Sequence, residues 1–184
     1  MNYFVHLTKL DLHPIPLEYH AELKKAYHTS VDLNLLNLNL INILEKNDIY
    51  ICYIETFFSA PHFTQAIHTD SSISHKYGGD YVKINWVYCE GESHMNWYEV
   101  KENVPQPDIE TTVTNTGYIP WRADQVEKVA IDELKFPSLV QSGCPHNVEN
   151  GSKHRLCISA VIRYISTNNR ITMEEACNRL SFLI

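Results

Sequence analysis

Ile49-Tyr-Ile-Cys-Tyr-Ile-Glu-Thr-Phe-Phe58 is β-branched and aromatic almost throughout and has no polar face of helical period. Such a run reads as a strand. It marks a change of texture in the chain. Residues 1–16, with Pro14 and Pro16, read as an irregular opening segment. Leu17 to Tyr27 spaces Leu17, Ala21, Leu23 and Tyr27 at three to four residues, the spacing of a short helix. Val31 to Lys46 carries two signals, a Leu/Asn alternation of period two and a Leu33, Leu36, Leu40, Ile43 stripe. That run is long for one strand, and Ser30 is placed to cap it, so we read helix.

Downstream of Phe58 the pattern is short strands and turns. Ala60-Pro61 breaks the first strand, and Thr64 to His68 reads as a second. Ser71 to Asp80 is a polar loop containing Gly78-Gly79. Tyr81 to Cys89 alternates clearly, Glu90-Gly-Glu-Ser93 is a turn, and Met95 to Val100 pairs back. Asn103 to Pro120 holds three prolines and little apolar content, a long excursion of the kind that forms lids and binding loops. Val126 to Ile131, Leu139 to Ser142 and Arg155 to Tyr164 complete the strands. Thr172-Met-Glu-Glu175 is a capping box that opens a C-terminal helix. The expected organisation is a single domain over 1–184: an N-terminal helical segment (1–48), a β core (49–164) and a C-terminal helix (171–183). Many short strands with helices at the ends predict a mainly β fold with flanking helices, an antiparallel sandwich or barrel.

Composition narrows the function classes. A formal net charge of -7, with 15 Lys and Arg that form no cluster, argues against nucleic acid and anionic membranes as partners. No apolar run approaches spanning length, and Met1-Asn-Tyr-Phe-Val-His lacks the pattern of a signal peptide. Five cysteines without a CxxC pair argue against a disulfide framework or a zinc ribbon. Cys52, Cys89 and Cys157 lie in strand-like runs, as buried thiols do in a reducing compartment, so a cytoplasmic location is expected.

The chemistry-bearing motif is His68-Thr-Asp70. Ten His and 22 acidic residues in 184 produce about one His-x-acid pair by chance, and this chain has two. The other, His20-Ala-Glu22, falls in the expected helix, where residues two apart diverge. At a strand end they point the same way, which selects His68 and Asp70. A third ligand is expected from Gly143-Cys-Pro-His146, and Gly151 allows a return into the Arg155 strand. Two His and one carboxylate leave metal positions open for chemistry, the set typical of non-haem Fe(II) oxygenases. Arg155, Cys157, Ser159 and Arg163 share a strand face by period two. Arg155 suits a carboxylate anchor, and Arg163 is a rival on that face. Cys144 lacks the second pair that zinc needs. His75 and His94 read as loop residues, and Trp86, Trp97 and Tyr98 as sheet aromatics.

His-x-Asp, then Gly-x-Pro-His about eighty residues on, then Arg in Arg155-Leu-Cys-Ile-Ser159, resembles the Fe(II)/2-oxoglutarate-dependent dioxygenases. Small single-domain hydroxylases of the aspartyl/asparaginyl and prolyl kind are the nearest in look. The resemblance covers roughly Ile49 to Tyr164. It implies a double-stranded β-helix, a cupin-like jelly-roll. It implies His68, Asp70 and His146 as Fe(II) ligands and catalytic centre, and Arg155 as anchor of the 2-oxoglutarate C5 carboxylate. Asn85 and Tyr88 stand where relatives line the co-substrate site. Cys157 replaces the Ser of an Arg-x-Ser form, leaving Ser159 as the nearest same-face hydroxyl. The implied reaction uses O₂ and 2-oxoglutarate to hydroxylate a C–H bond of an amino-acid, peptidyl or small-molecule substrate, releasing succinate and CO₂. Two alternatives stay open: a cupin-like metal enzyme that does not use 2-oxoglutarate, and a jelly-roll binding module without catalysis. Neither the substrate nor the oligomeric state is legible.

Overall fold

The structure, a computed structural model, describes residues 2–71, 82–111 and 117–184. It is mainly β, with two antiparallel sheets and few helices. The strands are β1 (Phe4–His6), β2 (His28–Val31), β3 (Ile49–Ser59), β4 (His68–Ser71), β5 (Val82–Cys89) and β6 (Ser93–Val100). They continue as β7 (Glu110–Thr111), β8 (Gly117–Pro120), β9 (Val126–Asp132), β10 (Ser138–Gln141), β11 (His146–Asn150) and β12 (Arg155–Tyr164). One sheet has the order β1-β10-β5-β12-β3-β2 and the other β7-β8-β4-β11-β6-β9.

The strand β12 lies between β3 and β5, pairing Ser159 with both Glu55 and Asn85. Side chains alternate across it. Leu156, Ile158, Ala160 and Ile162 face an apolar layer shared with Ile54, Ile84, Trp86 and the helices. Arg155, Cys157, Ser159 and Val161 face the second sheet. The helical layer is made by α2 (Leu38–Glu45), with Leu40 and Leu44 one turn apart and buried, and α3 (Met173–Arg179). The Asn37 side chain caps α2 by accepting from the Asn39 N–H at 2.9 Å. The Thr172 capping box is formed, with Glu175 N–H donating to Thr172 Oγ1 and Thr172 N–H to Glu175 Oε2. Between the sheets, Met95, Trp97, Leu134 and Val140 form a second core, and Trp97 Nε1 donates to the Gln141 carbonyl at 3.0 Å.

Several expectations are corrected. Residues 1–48 are not simply helical: β1 pairs with β10 and β2 with β3, so this segment extends the first sheet at both edges. The helix expected over 17–27 shrinks to a 3-10 turn (Leu17–Tyr19) and one α turn, α1 (His20–Leu23). Tertiary pairing of β2 outcompetes local propensity there. The strand expected at 64–68 is reduced to an isolated bridge between Thr64 and Glu149, and continuous pairing, with β8 and β11, starts at His68. The end of the 103–120 excursion is β8, a partner strand of β4. The polar loop from Ser71 to Asp80 lies, beyond Ser71, outside the described residues, and so does His75.

Candidate metal centre

β4 and β11 are neighbours in the second sheet, and His68 is paired directly opposite His146. Alternation then puts Asp70 on the same side as His68. The register is held by more than the ladder. Asn147 Nδ2 donates to the Gln65 carbonyl at 3.2 Å, while its Oδ1 accepts from Asn96 Nδ2 at 2.8 Å and Tyr98 Oη at 3.1 Å. The backbone N–H of Gln65 donates to the Val148 carbonyl and that of Asp70 to the Ser142 carbonyl. The stretch before His68 is therefore fastened along β11, although it is not itself a strand.

His68, Asp70 and His146 offer ligand atoms that all lie within 4.8 Å of one another. His68 Nε2 stands 3.7 Å from Asp70 Oδ1, and the two imidazole centroids are 4.4 Å apart. Both histidines are oriented alike. His68 Nδ1 donates to the Ala66 carbonyl at 3.0 Å, and His146 Nδ1 donates to the Cys144 carbonyl at 2.9 Å. Each Nδ1 is thus consumed by a backbone carbonyl two residues earlier, which leaves each Nε2 as a lone-pair donor toward the other ligands. That orienting bond is how metal-ligating histidines are held. Burial, and then the neighbouring His68, push His146 down to about 4 against the pull of Asp70, so it stays neutral as a ligand must. Ligand atoms around an ion with bonds of about 2.0–2.2 Å sit roughly 3–4 Å apart, so small rotations close this set on one cation.

Asp70 is also an ion-pair partner. Lys83 Nζ donates to Asp70 Oδ2 at 2.7 Å and to Glu55 Oε2 at 3.2 Å. His28 Nε2 stands 3.1 Å from Glu55 Oε1. Burial alone would raise the Asp70 carboxyl, but Lys83, His146 and His68 hold it well below the usual range. Burial would likewise lower the Lys83 ammonium, and the Asp70 and Glu55 charges raise it instead. Lys83, Glu55 and His28 escaped the sequence reading. A lysine inside Val82-Lys-Ile-Asn-Trp-Val and a glutamate inside Ile49–Phe58, each flanked by apolar residues, were the available signal.

The triad stands in a narrow cavity of about 50 Å³ between the sheets, lined also by Arg155, Ser159, Asn85 and Lys83. Arg155 is buried, at 4% exposure. Its Nε has no hydrogen-bond partner, and among the described residues no carboxylate pairs with its guanidinium. The Cys157 thiol and the Tyr27 hydroxyl are near enough to feel its charge. Ser159 Oγ donates to Asn85 Oδ1 at 2.7 Å. Tyr88 is not brought into this cavity. It lies on the opposite face of β5, where its hydroxyl meets His13 Nδ1 at 2.8 Å and its ring meets His20. Arg163 lines a separate small cavity beyond Lys83, with its Nη1 donating to the Asn168 carbonyl.

On its outer side the triad opens into a trough of about 570 Å³. Tyr27, Phe57, Phe63 and Tyr118 wall it, and Phe57 stacks on His28 at 4.6 Å between centroids. His68 and Asp70 are therefore reached from two sides, a narrow inner cavity that holds the Arg155 guanidinium and a wide aromatic mouth. Of the other expectations, His20 sits beside Tyr88 far from Asp70, and His94 pairs with Glu133 at 3.6 Å. Trp86 donates its indole N–H to the Leu12 carbonyl and is a core aromatic. No helix is long and apolar enough to cross a membrane among the described residues. Neither a protein-family model nor a curated protein matches the sequence.

Proposed function

We propose that this chain is an Fe(II)- and 2-oxoglutarate-dependent dioxygenase that hydroxylates a C–H bond of a small-molecule or peptide substrate, releasing succinate and CO₂. The observation that carries the reading is the convergence of two Nδ1-anchored histidines and one aspartate beside a buried arginine that has no carboxylate partner among the described residues. The strand order supports a double-stranded β-helix core. β3, β4, β5 and β6 alternate between the two sheets, and so do β9, β10, β11 and β12. The four inner strands β10-β5-β12-β3 then stand against β4-β11-β6-β9.

His68, Asp70 and His146 would hold the iron. When bound, it supplies the reduction of O₂ at the expense of 2-oxoglutarate, chemistry that no side chain provides. Arg155 offers its planar fork to the distal carboxylate of the co-substrate, and Ser159 with Asn85 gives that end a polar wall. The aromatic trough admits the substrate to the opposite side of the ligands and keeps water from the inner cavity. A metal enzyme without 2-oxoglutarate would need a carboxylate on its own substrate to occupy Arg155.

The test is anaerobic titration with Mn(II), with and without 2-oxoglutarate, followed by succinate release in air with Fe(II). Wild type should bind one Mn(II), bind 2-oxoglutarate only in its presence, and form succinate slowly without substrate. His68→Ala should weaken Mn(II) at least about a hundredfold, since even outer partners of metal ligands are worth 10–100-fold. Unchanged Mn(II) affinity in His68→Ala removes the site assignment, and metal binding without any succinate removes the 2-oxoglutarate reading.

A further inference from the structure

Lys83 has no part in the chemistry proposed above, yet it makes the shortest charged contact in the site. It stands on β5, an inner strand, opposite Val140 on one side and Val161 on the other, and it is 8% exposed. An ammonium in that position is costly to desolvate unless it is paired. Its partners are two carboxylates on different strands. Glu55 is 2% exposed, and its other oxygen is turned to His28. A lysine that served Glu55 alone would leave the half-buried Asp70 without this counter-charge, but the closer oxygen, at 2.7 Å against 3.2 Å, belongs to Asp70. The division on Asp70 is clear: Oδ2 is held by Lys83, and Oδ1 faces His68 Nε2.

We infer that Lys83 is a built-in counter-ion for Asp70, which keeps the metal pocket assembled without metal and which a divalent cation must share Asp70 with. The inference rests on the metal reading given above. Two consequences follow. The pocket does not need metal in order to fold, because the half-buried carboxylate already has its cation. Metal binding is weakened, because a divalent ion on Oδ1 is repelled by the ammonium on Oδ2 of the same carboxylate. Glu55 opposes this by drawing the ammonium charge toward itself. Lys83 and Glu55 therefore act on metal affinity with opposite signs, although the loss of either should destabilise the metal-free fold.

The experiment measures Mn(II) affinity, by the spin-resonance signal of the free ion, and Tm with and without Mn(II), in Lys83→Met, Glu55→Gln, Lys83→Arg and wild type. Both Lys83→Met and Glu55→Gln should lower the metal-free Tm. Lys83→Met should tighten Mn(II) by about tenfold or more and enlarge the Tm rise that Mn(II) produces, and Glu55→Gln should weaken Mn(II) by a similar factor. Lys83→Arg, which keeps the charge, should stay near wild type in affinity. If Lys83→Met does not fold, the Lys83→Met/Glu55→Gln double variant removes the pair together and should still bind Mn(II) more tightly than wild type. Weaker Mn(II) binding in both single variants, or in the double variant, would make Lys83 a mere support of the pocket and overturn the inference while leaving the metal site standing. A wild type that binds no Mn(II) overturns the metal reading itself, and this inference with it.

Discussion

Replacing Arg155 by Met should stabilise the protein and cripple co-substrate binding in one step. The guanidinium is 4% exposed, its Nε lacks a partner, and no carboxylate among the described residues balances it. A buried polar group left unpaired costs about 1–3 kcal/mol, and a charge costs more. Methionine keeps most of the side-chain volume between Ser59 and Cys89, the residues opposite Arg155 on β3 and β12's other neighbour β5, and it needs no partner. We therefore expect Arg155→Met to gain about 1–3 kcal/mol in urea unfolding of the metal-free protein. Most core substitutions destabilise, so this sign is diagnostic. If Arg155 anchors 2-oxoglutarate as proposed, losing that guanidinium–carboxylate interaction should cost about 2–4 kcal/mol, a loss of roughly 30- to 1,000-fold in Kd. Calorimetric titration of the Mn(II)-loaded variant reads that directly, and Mn(II) affinity itself should move by less than about threefold. An Arg155→Met protein that is less stable than wild type and binds 2-oxoglutarate as well would show that the arginine is structural, and the anchor would have to be sought at Arg163.

Two further outcomes test the frame of the site. Asn147→Ala deprives Asn96 and Tyr98 of their acceptor and releases the Gln65 carbonyl, so it should cost about 2–4 kcal/mol in urea unfolding and weaken Mn(II) because the approach to His68 loosens. His20 tests the helical side of the molecule: burial, followed by His13 and Lys24, lowers it below its ordinary 6.5. The unfolded chain takes up this proton at a higher pH than the folded one, so stability is full above about pH 6.5 and declines as pH falls from there toward the lowered value. His20→Phe, which keeps a ring against Tyr88, should flatten that decline in Tm measured from pH 7 to 5, and an unchanged slope would refute the assignment.

The parts of this site that the sequence carried are those fixed by a strand period, and the parts it hid are those fixed by pairing across the sheets. β12 is legible from Arg155 to Tyr164 because its β-branched and apolar run reads as a long strand, buried on both faces, and its alternation places Arg155 and Ser159 together. The same alternation should have excluded Tyr88, since Asn85 and Tyr88 are an odd number of residues apart and a strand cannot turn both inward. Period alone also made Arg163 a rival to Arg155. Eight residues of strand separate them by about 26 Å, at roughly 3.3 Å per residue, and they line different cavities. The strand bounds after Thr64 are not legible, because Gln65 is held by donating its N–H to the Val148 carbonyl and accepting from Asn147 Nδ2, bonds that no local pattern announces. Lys83 and Glu55 show the same limit from the other direction. Each is a charged residue in an apolar strand, a local conflict that burial would punish if it stood alone. The register of β3, β12 and β5 sets them diagonally across the intervening β12, opposite Ser159 and Val161, and β4 then brings Asp70 to the same ammonium. A charge that looks misplaced in its own strand thus marks the point where the two sheets meet over the candidate metal ligands.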